Sequence, residues 1–192
     1  MGIASISRRE FLNTVIPCLA DEMERENAVK SRWLDLDLYF RLDLGDGRSA
    51  VVTTEMLDSF RVTAQEIIES AVKNIRRMCL VRTMGDTLGL FGMNDCEAEG
   101  EMMVMTTDSF MFGAGAMLLT DKLDEIAAMY RKNSLFIIPS SVHEVLVIPA
   151  DLEKAEEVNR IIHTVNETVL GEGEFLADHL YRYRAGAKSV TI

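Results

Sequence analysis

From Leu34 to Leu44 the chain alternates without a break. Leu34, Leu36, Leu38, Phe40, Leu42 and Leu44 interleave with Asp35, Asp37, Tyr39, Arg41 and Asp43. A strand repeats every two residues, so this pattern predicts a half-buried strand with one face in a core and the other in water or on a partner. Gly45-Asp46-Gly47 supplies a turn, and Ala50-Val51-Val52-Thr53 is predicted to pair back as a hairpin. A hairpin forces antiparallel pairing, which argues against a purely parallel, doubly wound sheet.

Helix signals surround this strand. Ser7-Arg8-Arg9-Glu10 and Thr63-Ala64-Gln65-Glu66 have the spacing of capping boxes, in which the hydroxyl and the carboxylate each satisfy a backbone donor of the first turn. The first is followed by Phe11, Leu12, Val15, Leu19 and Met23 at helical spacing, with Pro17 expected to kink or divide the segment near its middle, and the second by Ile67, Ile68, Ala71, Val72 and Ile75. Residues 84–101, rich in glycine and acid, read as a surface connection. Met102–Thr106 reads as a strand, and Gly113-Ala114-Gly115 as the start of a helix bearing Leu119, Leu123, Ile126, Ala127 and Tyr130. Leu135–Ile138 and Val145–Ile148 form a second predicted hairpin around a Pro139-Ser140-Ser141 turn. Asp151 can cap a last helix with Leu152, Ala155, Val158, Ile161, Ile162 and Val165 inward.

The expected fold is α+β: an antiparallel or mixed sheet of about five strands, built from two hairpins plus a single strand and covered by about four helices. One domain over residues 1–192 is expected, with a helical extension at 1–26 and a tail at 175–192.

Charge and cysteine content narrow the function classes. The net charge is −11 and no basic cluster exceeds Arg76, Arg77 and Arg82, so a nucleic-acid partner is not expected. No apolar run approaches a membrane span, so no membrane partner is expected either. The three cysteines, Cys18, Cys79 and Cys96, are an odd number without a CxxC pair, which points to a reducing, cytoplasmic setting.

The groups that could carry chemistry are few. Pro139-Ser140-Ser141-Val142-His143-Glu144 holds the residue types of an acyl-transfer triad, but no GxSxG elbow exposes the serine, and in an extended strand His143 and Glu144 point to opposite faces. The structural alternative is a turn whose serines satisfy backbone groups. The three histidines, His143, His163 and His179, lack the HExxH spacing, and His163 falls on the polar side of its helix beside Asn159 and Asn166. His143 and His179 are the only weak metal candidates, and no cofactor is expected. Gly113 and Gly115 make too sparse a loop for a phosphate cradle. Met102, Met103, Met105, Met111 and Met117 cluster as core filling or as an adaptable binding surface. Asp35, Asp37 and Asp43 are read as a solvated face.

Several segments together resemble a bacterial family known as domain of unknown function 5688. They are Trp33-Leu34-Asp35-Leu36, the Val62-Thr63 helix start with Ala71 and Asn74, the Thr106 strand end followed by Gly113-Ala114, Pro139 through Val145, and Asp178-His179-Leu180-Tyr181-Arg182-Tyr183. They run in the family's order over about residues 27–184, with Thr107 standing where an asparagine is usual. The resemblance implies no activity. It does imply that Ser140, Ser141, His143, Glu144, Asp178, His179 and Tyr181 belong to whatever site exists. The favoured expectation is a non-enzymatic module that binds another protein or a second copy of itself, docked on the alternating hairpin or the methionine-rich region. The alternative is a hydrolase or metal-dependent enzyme built on Ser141, His143, Glu144, Asp178 and His179.

Overall fold

Pro17 decides where the first helix ends. It has no amide to give to a helix, and the residue before a proline disfavours helical backbone. In the computed structural model, which describes residues 6–45, 47–90, 102–168, 171 and 173–192, helix α1 spans only Arg8–Thr14 and the chain continues as strand β1, Val15–Ala20. The helical stripe read through Met23 is therefore corrected to a helix followed by a strand. Both capping boxes form: Glu10 N–H donates to Ser7 Oγ at 3.2 Å and Ser7 N–H to the Glu10 carboxylate at 2.7 Å, and the Thr63–Glu66 pair repeats this at 3.2 and 2.9 Å.

The chain divides into two compact units, residues 1–78 and 79–192. The first holds a four-stranded antiparallel sheet of β1, β2 (Lys30–Trp33), β3 (Leu36–Gly45) and β4 (Arg48–Val51). β3 is the alternating segment, and it lies at the centre. Residues Asp37–Leu42 pair with β1, while Leu36–Tyr39 pair with β2 and Arg41–Gly45 with β4 along the opposite edge. Pro17 is tolerated because β1 pairs on one side only.

The polar face of β3 is not solvated. Asp37 and Tyr39 are buried alongside Leu36, Phe40 and Leu42, and Leu34 sits in the β2–β3 turn at a φ of 55°. Asp37 accepts the Met23 amide and an Arg32 guanidinium N–H, both at 3.0 Å, with the Lys30 ammonium 3.7 Å away. Burial would raise its pKa, but these donors and cations outweigh that and hold the carboxyl below its ordinary range.

Helix α2 spans Thr54–Phe60, and α3, Ala64–Met78, packs along β1. Phe11, Val15, Phe40, Leu42, Val52, Val62, Ile67 and Ala71 form this unit's core. Buried Asn74 on α3 donates to the carbonyls of Leu12 and Val15, both at 2.8 Å, satisfying acceptors left open where α1 gives way to β1.

The second unit is built on a six-stranded antiparallel sheet. In sequence these are β5 (Cys79–Thr83), β6 (Met103–Thr107), β7 (Ser134–Ser141), β8 (Glu144–Pro149), β9 (Tyr181–Arg184) and β10 (Ser189–Thr191); in space they run β10-β9-β7-β8-β6-β5. Helix α4 occupies Met84–Leu90, within the stretch read as a connection. A 3-10 turn at Gly113–Leu118 leads into α5, Thr120–Tyr130, and a second at Leu152–Lys154 leads into α6, Ala155–Thr168. Asp151 caps that second turn, accepting the Glu153 amide at 3.2 Å.

Helices cover both faces of this sheet. Leu135, Ile137, Val145, Val147 and Tyr183 lie fully buried on the α5 side. There the Tyr183 hydroxyl donates to the Asp124 carboxylate at 2.7 Å, with the Thr120 carbonyl at 3.0 Å, and the Tyr130 hydroxyl donates to the Val147 carbonyl at 3.3 Å. The alternate residues Ile138 and Leu146 face α6. Ile162 is buried there, whereas Ile161 and Leu152, expected inward, are exposed.

The α+β class stands, but its architecture is corrected. Two sheets of four and six strands, with more helices than four, replace one sheet of about five. Besides β1, the strands without a sequence signal are β2, β5 and β10, three to five residues long; β9 falls in the tail from Phe175 to Arg184, which reads as strand or docked coil. The acidic run at 95–101, Asp46 and the Val165 side chain lie outside the described residues.

Candidate functional site

The serine-histidine segment closes the β7–β8 hairpin, and its turn lies further along than Pro139-Ser140-Ser141. Strand β7 runs through Ser141, and the register slips by one residue between Ile138 and Ser141. Proline cannot donate to a ladder, so it sits in the resulting bulge. Val142 and His143 form the turn.

That turn is bound on every side. The His143 carbonyl accepts the Gly113 amide and the Thr106 hydroxyl, both at 2.9 Å, and the Val142 carbonyl accepts the Ala114 amide at 3.3 Å. The Val142 amide donates to the Glu174 carbonyl at 3.0 Å. Ser141 Oγ accepts the His143 amide at 3.0 Å, and Ser140 Oγ donates to the Glu144 carboxylate at 3.3 Å. Gly113 is required by crowding: a Cβ there would stand 2.4 Å from the His143 carbonyl oxygen and 2.6 Å from Thr106 Cα. Buried Thr107 closes the neighbouring loop, its hydroxyl donating to the Met111 carbonyl at 2.9 Å.

The His143 imidazole is occupied as well. Its Nδ1 accepts the Phe112 amide at 3.2 Å, which places the ring proton of the neutral form on Nε2, 3.9 Å from a Glu174 carboxylate oxygen. The link between Ser141 and His143 thus runs through a backbone amide, and the nitrogen that would act as a general base is already an acceptor for Phe112. Nucleophilic catalysis needs a hydroxyl held by a basic imidazole nitrogen.

Asp178 and His179 diverge. Asp178 Oδ2 lies 2.6 Å from His163 Nδ1 on α6, and His163 Nε2 lies 3.4 Å from Glu167. Hydrogen bonding to Asp178, together with the charges of Asp178 and Glu167, raises the His163 pKa. Asn166 donates to the Ala177 carbonyl at 3.0 Å and to Asp178 at 3.2 Å, and Asn159 accepts the Leu180 amide at 2.9 Å. Asn159, His163 and Asn166, spaced by four and three residues on one helical face, therefore dock the tail against α6. The sequence placed them on the polar side of α6; their spacing was the available signal for a docking stripe. The His179 ring packs on buried Tyr181 with centroids 4.9 Å apart.

A further concavity lies elsewhere on the α6 face. An open groove of about 810 Å³ is floored by Phe136, Ile148, Met102 and Val158, with Lys132, Asp151, Glu153 and Lys154 also in its lining. Met102 and Val158 also line an apolar pocket of about 120 Å³ with Ile138, Leu146, Ser140 and Asn166. Of the clustered methionines, Met105 and Met117 are core, Met102 lines the groove and Met111 is exposed. Pro139 and Ser140 are the members of the Pro139–Glu144 segment that reach this pocket; His143 and His179 line neither cavity.

Among the described residues no group of three or more His, Cys, Asp or Glu side chains is placed to hold a metal ion. No described helix is long and apolar enough to cross a membrane. Burial pushes the thiols of Cys18 and Cys79 up to about 12 and about 11, so both stay protonated at neutral pH.

No curated protein and no solved structure matches the chain. A family model does match, across nearly the whole length and over the segments that build the turn, the bulge and the docked tail. The chain belongs to the family of unknown function (DUF5688), whose model covers residues 15–185.

Proposed function

We propose that the chain is a non-enzymatic binding module of the cytoplasm that seats an apolar segment of another protein in the groove beside α6. The groove itself carries this reading. Its volume of about 810 Å³ is that of a ligand cleft, its floor is apolar, and it leads to a pocket sized for a single apolar side chain. Met102, common to both cavities, supplies a flexible, polarizable wall suited to varied side chains. The engagement of Ser141 and His143 in holding backbone favours binding over acyl transfer. The buried, protonated Cys18 thiol fits a reducing compartment.

Selection of displayed peptides on the purified chain tests the proposal. Selected peptides are expected to centre on an apolar residue, to lose about tenfold or more in affinity on Val158→Asp, and to bind Ser141→Ala as they bind the parent. Equal affinity for Val158→Asp would overturn it. So would turnover of ester or amide substrates that Ser141→Ala abolishes.

A further inference from the structure

Between β6 and the Gly113–Leu118 turn, the loop Asp108–Phe112 holds two phenylalanines in the left-handed region, Phe110 at a φ of 56° and Phe112 at 54°. Bulky L residues seldom adopt that backbone, so it persists where contacts hold it. At one end the holding contacts come from Thr107, whose hydroxyl donates to the Met111 carbonyl at 2.9 Å and accepts the Met111 amide at 3.3 Å. Neither group titrates near neutral pH. At the other end the Phe112 amide donates to His143 Nδ1 at 3.2 Å, and the two rings lie tilted at 52° with centroids 5.5 Å apart. This contact depends on a proton.

We propose that His143 is a proton-operated clasp on the Asp108–Phe112 loop. Neutral, its Nδ1 lone pair accepts the Phe112 amide and the loop is held. When Nδ1 takes a proton from solvent, both ring nitrogens become donors, the Phe112 hydrogen bond is lost, and two N–H groups oppose each other. Among the described residues the charged group within ion-pair reach of the ring is Glu174, 3.9 Å from Nε2 on the segment that also receives the Val142 amide; Glu144, next in the chain, is tied to Ser140, and Asp108 is exposed at the start of the loop. Glu174 gives the protonated ring a partner at its other nitrogen, so the ring gains a contact there as it loses its hold on the loop. Release frees the Phe112 amide at one end of the loop, while Phe110 and Met111 stay tied to Thr107 at the other. The clasp uses none of the groove-lining residues and stands or falls apart from the groove.

Backbone and imidazole NMR on the full chain, titrated from about pH 8 to about pH 5, tests this. The protection factor of the Phe112 amide, corrected for intrinsic exchange, is expected to fall about tenfold with the same midpoint as the His143 ring, while Val145 in β8 keeps its protection. His143→Asn retains an oxygen acceptor near the position of Nδ1 but cannot be protonated, so its Phe112 protection is expected to be the same at both ends of the range. Unchanged Phe112 protection in the parent while the His143 ring titrates would overturn the clasp, as would an equal fall in His143→Asn. Should that variant fail to fold, the coincidence of the two midpoints in the parent decides alone.

Discussion

Asp178 turns its carboxylate to His163 on α6, 2.6 Å away, and not to the histidine that follows it in the chain. With Asn159 and Asn166 this pairing fixes the entry to β9, and it carries a pH dependence. The His163 pKa is raised in the folded chain, foremost by the hydrogen bond to Asp178. A raised folded value means the stabilisation is complete below the unfolded histidine range of about 6.5 and fades as pH climbs through the folded value. His163→Gln should therefore lower Tm at about pH 6 and have little effect at about pH 9. An equal loss at both pH values would show that the ion pair is not the source.

Asn74 offers a test of the α1–β1 junction. Its side-chain amide is the donor for two carbonyls, those of Leu12 and Val15, so Asn74→Ala should cost about 2 kcal/mol in urea unfolding. Asn74→Asp keeps the shape but offers no donor, and is expected to fare no better. An aspartate variant as stable as the parent would refute the role.

Gly113 meets backbone on two sides, so its substitution cannot be absorbed by rotating a side chain. Gly113→Ala should destabilise the chain by about 2 to 3 kcal/mol, measured by thermal or denaturant unfolding. Adding Thr106→Ala removes one obstructing oxygen but leaves Thr106 Cα and the His143 carbonyl in place, so the double variant should recover little of that loss. Full recovery would show that the crowding lies in the side chain alone.

What could be read in advance was local. The capping boxes at Ser7 and Thr63 mark their helix starts correctly because their hydrogen bonds close within four residues. The β7–β8 hairpin is legible in two apolar runs, but its bulge moves the turn from Pro139-Ser140-Ser141 to Val142 and His143. The alternation of Leu34 to Leu44 announces a strand yet misstates its setting. Period alone cannot show that Asp37 will be buried against Met23 and Arg32, since those partners arrive through tertiary pairing. β1 went unread because Val15 and Leu19 fit a helical stripe as well as a buried strand. At the site, the residue types of the turn could be picked out, whereas Thr106, Phe112 and Glu174, which fix what those residues can do, come from distant parts of the chain.

The central place of β3 makes the start of the chain a guard. Leu36 to Leu44 is apolar enough to template stacking of one molecule on the next, and β1 covers the whole of one edge from Asp37 to Leu42. Cleavage or truncation that removed the chain through Ala20 would therefore do more than shorten it. It would strip Phe11 and Val15 from the core and uncover the β3 edge from Asp37 to Leu42, and self-association of the shortened chain, read by sedimentation, is the expected outcome.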